Sequence, residues 1–253
     1  MKELPPEAPP KFEVRVVPNL ASLADVAATE FAGAAGEAIA DRGRFTVALS
    51  GGSTPRAFHQ RLTRRPHRSG IPWKKVLFFW GDERCVPPAD ERSNYRMAKE
   101  TLLDPLRIPP ANVFRMEGER KPASAAAAAY EAILREQFED TGRFPRLDLA
   151  LLGIGSDGHT ASLFPGMPAL AEKRKWAVST HASGARERRI TLTYPVFNAA
   201  RRVLFLVSGQ DKSGPVSKIV KKEPGYRSLP ASGIRPGRGS LLWLLDEAAA
   251  SRL

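Results

Sequence analysis

Four short apolar runs in this chain each stop at a glycine, and helical segments separate them. Residues 45–50 (FTVALS) end at Gly51-Gly52, 75–80 (KVLFFW) at Gly81, 148–152 (DLALL) at Gly153, and 202–207 (RVLFLV) at Ser208-Gly209. Continuous apolar runs of four to eight residues suit strands that are covered on both faces. Residues 241–245 add another such run, and the alternating segment 12–17 reads as a further strand. Residues 175–180 and 189–193 are expected as extra strands. Helical periodicity or capping marks 20–41, 55–63, 93–103, 123–139, 212–222 and 246–251, with Pro55 in a first turn and Ser93 as a cap. Strands alternating with helices predict an α/β fold: a doubly wound, mostly parallel, Rossmann-like sheet with helices on both faces and a few extra strands.

A length of 253 residues suits one large domain or two small ones. No internal linker divides the chain. The expectation is therefore a single α/β catalytic domain over 12–253, preceded by a disordered, Pro-rich lead-in over 1–11. Hydrophobic residues make up 42 %, enough for a core. No run approaches the ~20 apolar residues that span a bilayer, and the N-terminus lacks a basic-then-apolar secretory layout. Cys85 is the single cysteine, so no internal disulfide forms. Together these point to the cytoplasm.

The net charge of +12 attracts anions of every kind, so binding has to be argued from particular residues. The clusters Arg61/Arg64/Arg65/Arg68 and Lys218/Lys221/Lys222 have helical spacing and read as solvated helix faces.

In doubly wound folds ligands bind beyond the carboxyl ends of the strands, and here those ends are unusually polar. Gly51-Gly52-Ser53-Thr54 precedes a helix. It reads equally as a phosphate cradle, with glycine backbone, hydroxyls and helix N–H groups, or as a plain capped turn. Asp82-Glu83-Arg84 reads as a charged loop tip. Arg84 suits a carboxylate or phosphate, and Asp82 suits a base or an orienting group. Gly153-Ile154-Gly155 leads into Asp157-Gly158-His159. There His159 can take a proton from water, and Asp157 can hold its tautomer. Of the four histidines, His159 alone has such a setting; His59, on a helix, and His67, in a basic loop, read as exposed, and His181 lacks comparable context. Arg189 and Lys212 can supply charge to a phosphate, although either alone reads more simply as a surface cation. There is no Cys pair or His-x-x-x-His for a metal, no Gly-x-Ser-x-Gly elbow, and no Walker or dinucleotide glycine pattern. Cys85 reads as a small hydrophobe more readily than as an activated thiol.

The segments LSGGSTPRAFHQRL, FFWGDERCVPPADERSNYRMAKETLL, LDLALLGIGSDGHTASLFPG, RRITLTYPVFNAARRVLFLVSGQDK, LPAS and LLWLLDEAAA together resemble the 6-phosphogluconolactonases, in the superfamily that also holds glucosamine-6-phosphate deaminase. The resemblance runs over about 14–250. It implies hydrolysis of 6-phospho-D-glucono-1,5-lactone in the oxidative pentose phosphate pathway, with no cofactor and no metal. It implies Gly51, Gly52, Ser53 and Thr54 around the sugar phosphate, and Arg84, Arg189 and Lys212 against anionic or hydroxyl groups. His159 is then the general base, supported by Asp157. The deaminase motif continues after its histidine to an acid before proline. Here Phe164 precedes Pro165, and the acid is absent. A deaminase-like enzyme and a non-catalytic sugar-phosphate sensor are the competing readings. A sensor that regulates transcription needs a DNA-binding element, and 1–11 is too short and Pro-rich for one. A small phosphorylated lactone is the expected partner. No specific nucleic acid and no membrane are expected, and the chain is expected to be a monomer.

Overall fold

The computed structural model describes residues 12–138, 143–181 and 187–253. The lead-in 1–11, expected as disordered, lies outside them. The described strands are β1 (Phe12–Val17), β2 (Phe45–Leu49), β3 (Val76–Trp80), β4 (Asp82–Arg84), β5 (Leu149–Leu152), β6 (Ala177–Thr180), β7 (Arg189–Leu192), β8 (Arg202–Val207) and β9 (Ser240–Asp246). Six form one sheet in the order β1-β9-β8-β5-β2-β3, with every neighbouring pair parallel. The doubly wound sheet expected from the glycine-ended runs is therefore present. All residues of β2 and β5 are buried, so both faces of the sheet centre are covered. Aromatic packing fills those faces: Phe205 stacks on Trp243 at 4.1 Å, and Phe31 meets Phe45 edge-on at 5.1 Å.

The extra strands form a separate antiparallel sheet in the order β4-β7-β6. β6 and β7 fall within the predicted segments. β4 corrects the expectation of a loop tip, because Asp82-Glu83-Arg84 pairs residue for residue with Thr191, Ile190 and Arg189. Glu83 is buried, yet its carboxylate accepts hydrogen bonds from the N–H groups of Arg84, Asn94 and Tyr95 and from the Ser93 hydroxyl. Burial pushes the Glu83 carboxyl up from its ordinary value, and these four donors oppose that shift. A charge that reads as solvated is thus the N-terminal anchor of the next helix.

That helix starts at Asn94 with Ser93 as its cap, the Ser93 hydroxyl accepting from Arg96 N at 3.1 Å. It widens into a π-helical turn over Lys99–Leu103 before ending at Leu106. The basic spacing of 61–68 does not lie along one helix face: the helix Ser53–Leu62 ends, and a four-residue helix begins at His67.

His59 and His67 correct the expectation of exposure, since both are buried. The Thr101 hydroxyl donates to Met97 O at 2.6 Å and so accepts from His59 Nδ1 at 3.0 Å, leaving His59 Nε2 buried without a partner among the described residues. Burial, and secondarily the Arg56 charge, lowers the His59 pKa to about 3. Unfolded histidine protonates near 6.5, so between those values the unfolded state binds more protons and stability falls as pH falls. Denaturant titrations should show His59 contributing a slope of about 1.4 kcal/mol per pH unit through that window. His59→Asn keeps a donor toward Thr101 and should flatten the acid limb by that amount. Identical acid limbs in the two proteins would refute the assignment.

Candidate active site

Winding direction locates the crevice. From β2 the chain steps outward to β3, whereas from β5 it steps the other way, through β8 to β9. The reversal lies between the neighbours β2 and β5, and strand-end loops on either side of such a switch point part to form a binding cleft. Those loops are Gly51–Thr54 and Gly153–His159.

The first loop turns on Gly52, whose φ of 116° suits glycine and which precedes the helix Ser53–Leu62 with no side-chain cap. The first-turn N–H groups of Ser53 and Thr54 are therefore not taken up by a capping side chain, as an anion site requires. Gly51 is held against a neighbour: a Cβ there would sit 1.8 Å from Asn94 Oδ1.

The second loop is tied by Gly155 N to His159 O at 2.8 Å and by Gly158 N to Gly155 O at 2.9 Å. This tight turn carries the Asp157 carboxylate back onto His159. Asp157 Oδ1 lies 2.6 Å from His159 Nδ1 and accepts from His159 N at 3.1 Å. Burial pushes the Asp157 carboxyl up, but these two hydrogen bonds outweigh it and hold the group below its ordinary value. An ionised Asp157 accepts the hydrogen bond from Nδ1–H, so the proton stays on Nδ1 and the Nε2 lone pair is the one left for chemistry. The ring also packs on Phe164, with centroids 4.7 Å apart. From far along the chain, Ala231 N donates to Gly158 O at 2.9 Å, and Leu229 fills the space over Gly158. The Gly/Pro/Arg-rich segment 225–239 therefore buttresses the histidine turn, a role with no signature in its own sequence.

A cationic pair completes the setting. Arg84 and Arg189 are directly opposite in the β4–β7 ladder, where like charges repel. Arg84 Nη1 donates to Arg92 O and to Asn94 Oδ1 at 2.6 and 2.7 Å. Arg189 Cζ lies 5.7 Å from the Phe164 ring centroid. The Nε atoms of both arginines are buried without hydrogen-bond partners among the described residues. Burial, and then the neighbouring Arg84 charge, lowers the Arg189 pKa, while Asp82, Glu187 and Glu83 oppose this. Two crowded guanidiniums with spare donors form a ready site for an anion.

The two remaining predicted polar residues, Asp82 and Lys212, each meet a neighbouring side chain. Asp82 is buried and faces protein groups, Ser162 Oγ at 2.6 Å and Asn94 Nδ2 at 3.2 Å, so it lies beneath the site and does not line it. Lys212 stands in the turn after β8, at the same end of the sheet, and pairs with its neighbour Asp211 at 2.7 Å. Cys85 is half-buried, and burial followed by the Glu83 charge raises its thiol pKa, opposite to activation. Asn94, Ser162 and Phe164 are the site neighbours that sequence reasoning gave no role in holding it. Among the described residues no group of three or more His, Cys, Asp or Glu side chains gathers to hold a metal ion, and no helix is long and apolar enough to cross a membrane.

Known proteins resemble this chain in sequence and in fold. The family model for glucosamine-6-phosphate isomerases/6-phosphogluconolactonase matches residues 18–243. A 6-phosphogluconolactonase of Synechocystis sp. is 42 % identical over 218 residues, which are 86 % of this chain and 88 % of that protein. One from Nostoc sp. is 40 % identical over 217 residues, 85 % and 88 % of the two chains. The solved 6-phosphogluconolactonase from Trypanosoma cruzi superposes with a TM-score of 0.86 at 29 % identity, covering 98 % of each chain. The chain belongs to the glucosamine-6-phosphate isomerase/6-phosphogluconolactonase family.

Proposed function

We propose that this chain hydrolyses 6-phospho-D-glucono-1,5-lactone to 6-phosphogluconate, the second step of the oxidative pentose phosphate pathway. The observation that carries this reading is the company His159 keeps. One ring nitrogen is committed to ionised Asp157, the ring packs at a tilt against Phe164, and one nitrogen is left to act on water. Phe164 stands where the deaminase motif has its acid. Ring opening and proton transfer between carbons call for that second acid–base group, whereas lactone hydrolysis does not. The 6-phosphogluconolactonase names of the relatives agree with this choice.

The phosphate docks on the Gly51–Thr54 loop, with Arg84, Arg189 and Lys212 supplying positive charge. This brings the lactone carbonyl to His159, which takes a proton from the attacking water through Nε2. Backbone N–H groups or a nearby cation stabilise the tetrahedral oxyanion. The ring oxygen leaves with a proton from the imidazolium or from water, and the open acid results. In this reading residues 12–253 work as one catalytic unit, a monomer in the cytoplasm. The unit acts on a small phosphorylated lactone without a cofactor, a metal or a specific nucleic-acid partner.

The test follows lactone disappearance above its spontaneous rate, with glucosamine 6-phosphate run in parallel. Turnover of the lactone alone is expected, and turnover of the amino sugar alone would reverse the assignment. Arg189→Ala is expected to raise KM for the phosphorylated lactone about tenfold or more, the scale of one lost charge-assisted contact. It should barely alter the rate with unphosphorylated gluconolactone. Equal effects on both substrates would remove Arg189 from phosphate recognition.

A further inference from the structure

The Asp82 carboxylate touches two of the loops that the proposed reaction needs and is itself shielded from water. It lies at the start of β4, one residue beyond Gly81 at the end of β3, and is 5 % exposed. Its Oδ2 accepts the Ser162 hydroxyl at 2.6 Å, a short charge-assisted hydrogen bond. Ser162 is fully buried three residues beyond His159, in the turn closed by Leu163 N on Thr160 O at 2.9 Å. Its own N–H donates to Thr191 Oγ1 at 3.3 Å, and Thr191 is the residue opposite Asp82 in the β4–β7 ladder. The histidine loop is thus pinned to the antiparallel sheet at two points.

On its other side Asp82 holds Asn94. The Asn94 amide donates to Asp82 O at 2.9 Å and to Oδ1 at 3.2 Å. Asn94 Oδ1 meanwhile accepts from Arg84 Nη1 at 2.7 Å and lies in the space that a side chain on Gly51 would need. One carboxylate therefore joins the histidine loop to Arg84 and to the glycine loop. A carboxylate suits this place because it accepts from both sides at once; a neutral amide would have to present a donor to one partner.

We propose that Asp82, acting through Ser162 and Asn94, is a positioning residue. It fixes the spacing between the phosphate-binding elements and His159, so that a lactone anchored by its phosphate presents C1 to the base. This rests on the reading of His159 as the base and of the Gly51/Arg84 side as the phosphate site. The spacing matters only for a substrate held at both ends. Gluconolactone without a phosphate is held by the histidine side alone and does not depend on it.

The experiment compares Ser162→Ala and Asp82→Asn with the unaltered protein on the phosphorylated lactone and on unphosphorylated gluconolactone, each corrected for spontaneous opening. Thermal unfolding confirms that each variant is folded. Ser162→Ala removes only a buried hydroxyl and keeps the test open if Asp82→Asn fails to fold. The expected result is a fall in kcat of about tenfold or more on the phosphorylated substrate, since sub-ångström misplacement of reacting groups is costly, with KM changed less than threefold. On gluconolactone the rate should change less than threefold. Parallel losses on both substrates would make the contact merely structural and overturn the proposal, as would no loss on either. If the unaltered protein fails to hydrolyse the phosphorylated lactone at all, the functional reading falls first, which distinguishes the two failures.

Discussion

His159→Ala is expected to lower kcat on the phosphorylated lactone by about 10²- to 10⁴-fold, the span that a positioned general base contributes. KM should stay within a few-fold, because the groups assigned to the phosphate lie on other loops. The expectation follows from the tautomer. Asp157 Oδ1 sits 2.6 Å from Nδ1 and is held ionised by that contact and by the His159 N–H. The proton therefore stays on Nδ1 and the lone pair on Nε2. Asp157→Asn tests this independently. An asparagine can present its NH₂ to Nδ1, which favours the opposite tautomer and blocks Nε2 as a base, so a loss approaching that of His159→Ala is expected. Single-turnover rates near those of the unaltered protein in both variants, at matched thermal stability, would end the general-base assignment.

Gly155→Ala is the second large effect. A methyl group there would lie 2.1 Å from His159 Nδ1 and 2.7 Å from Asp157 Oδ1. Those are the two atoms of the pair, and no contact that short is tolerated, so one of them must move. A shift of about 1 Å in a catalytic group costs on the order of 10² in rate, and that is the kcat loss expected. The effect should be specific. Gly153→Ala, two residues earlier, places its methyl group no closer than 3.9 Å to any atom beyond its chain neighbours, at Leu206 O. It should leave kcat within about threefold. Steady-state kinetics on both variants, with circular dichroism to confirm folding, separate a blocked site from a weakened fold. Similar kcat values for the two would show that the pair tolerates displacement.

Most of the sheet was legible because a strand covered on both faces leaves an unbroken apolar run, as β2, β3, β5, β8 and β9 do. β4 was not, because its three residues are all charged. Its pairing with β7 depends on partners more than a hundred positions away. The burial of His59 was hidden for a related reason: its neighbours Arg56 and Gln60 look solvated, and Thr101 lies 42 residues away. Within the candidate site, residues whose side chains suit acid–base chemistry announce themselves by type, as the Asp157-Gly158-His159 turn does. Residues that hold those groups in place do not. Ser162, Asn94 and Leu229 are ordinary in sequence and acquire their roles only when β4 and the segment 225–239 are folded against the two loops.

β1, the first of the described strands, pairs along its full length with β9, the last. During synthesis on a ribosome β1 emerges with no partner and stays exposed until more than two hundred further residues have been added. The buttress of Leu229 and Ala231 on the histidine turn arrives only shortly before β9. Pairings so distant in sequence form late, because the entropy of closing the intervening loop is lost before the contacts form. The glycine cradle and Arg84, by contrast, lie within the first hundred residues. A nascent chain therefore carries the Gly51–Thr54 loop and Arg84 early, but β4 waits for β7, and the His159 turn stays unbraced until Leu229 and Ala231 dock on it.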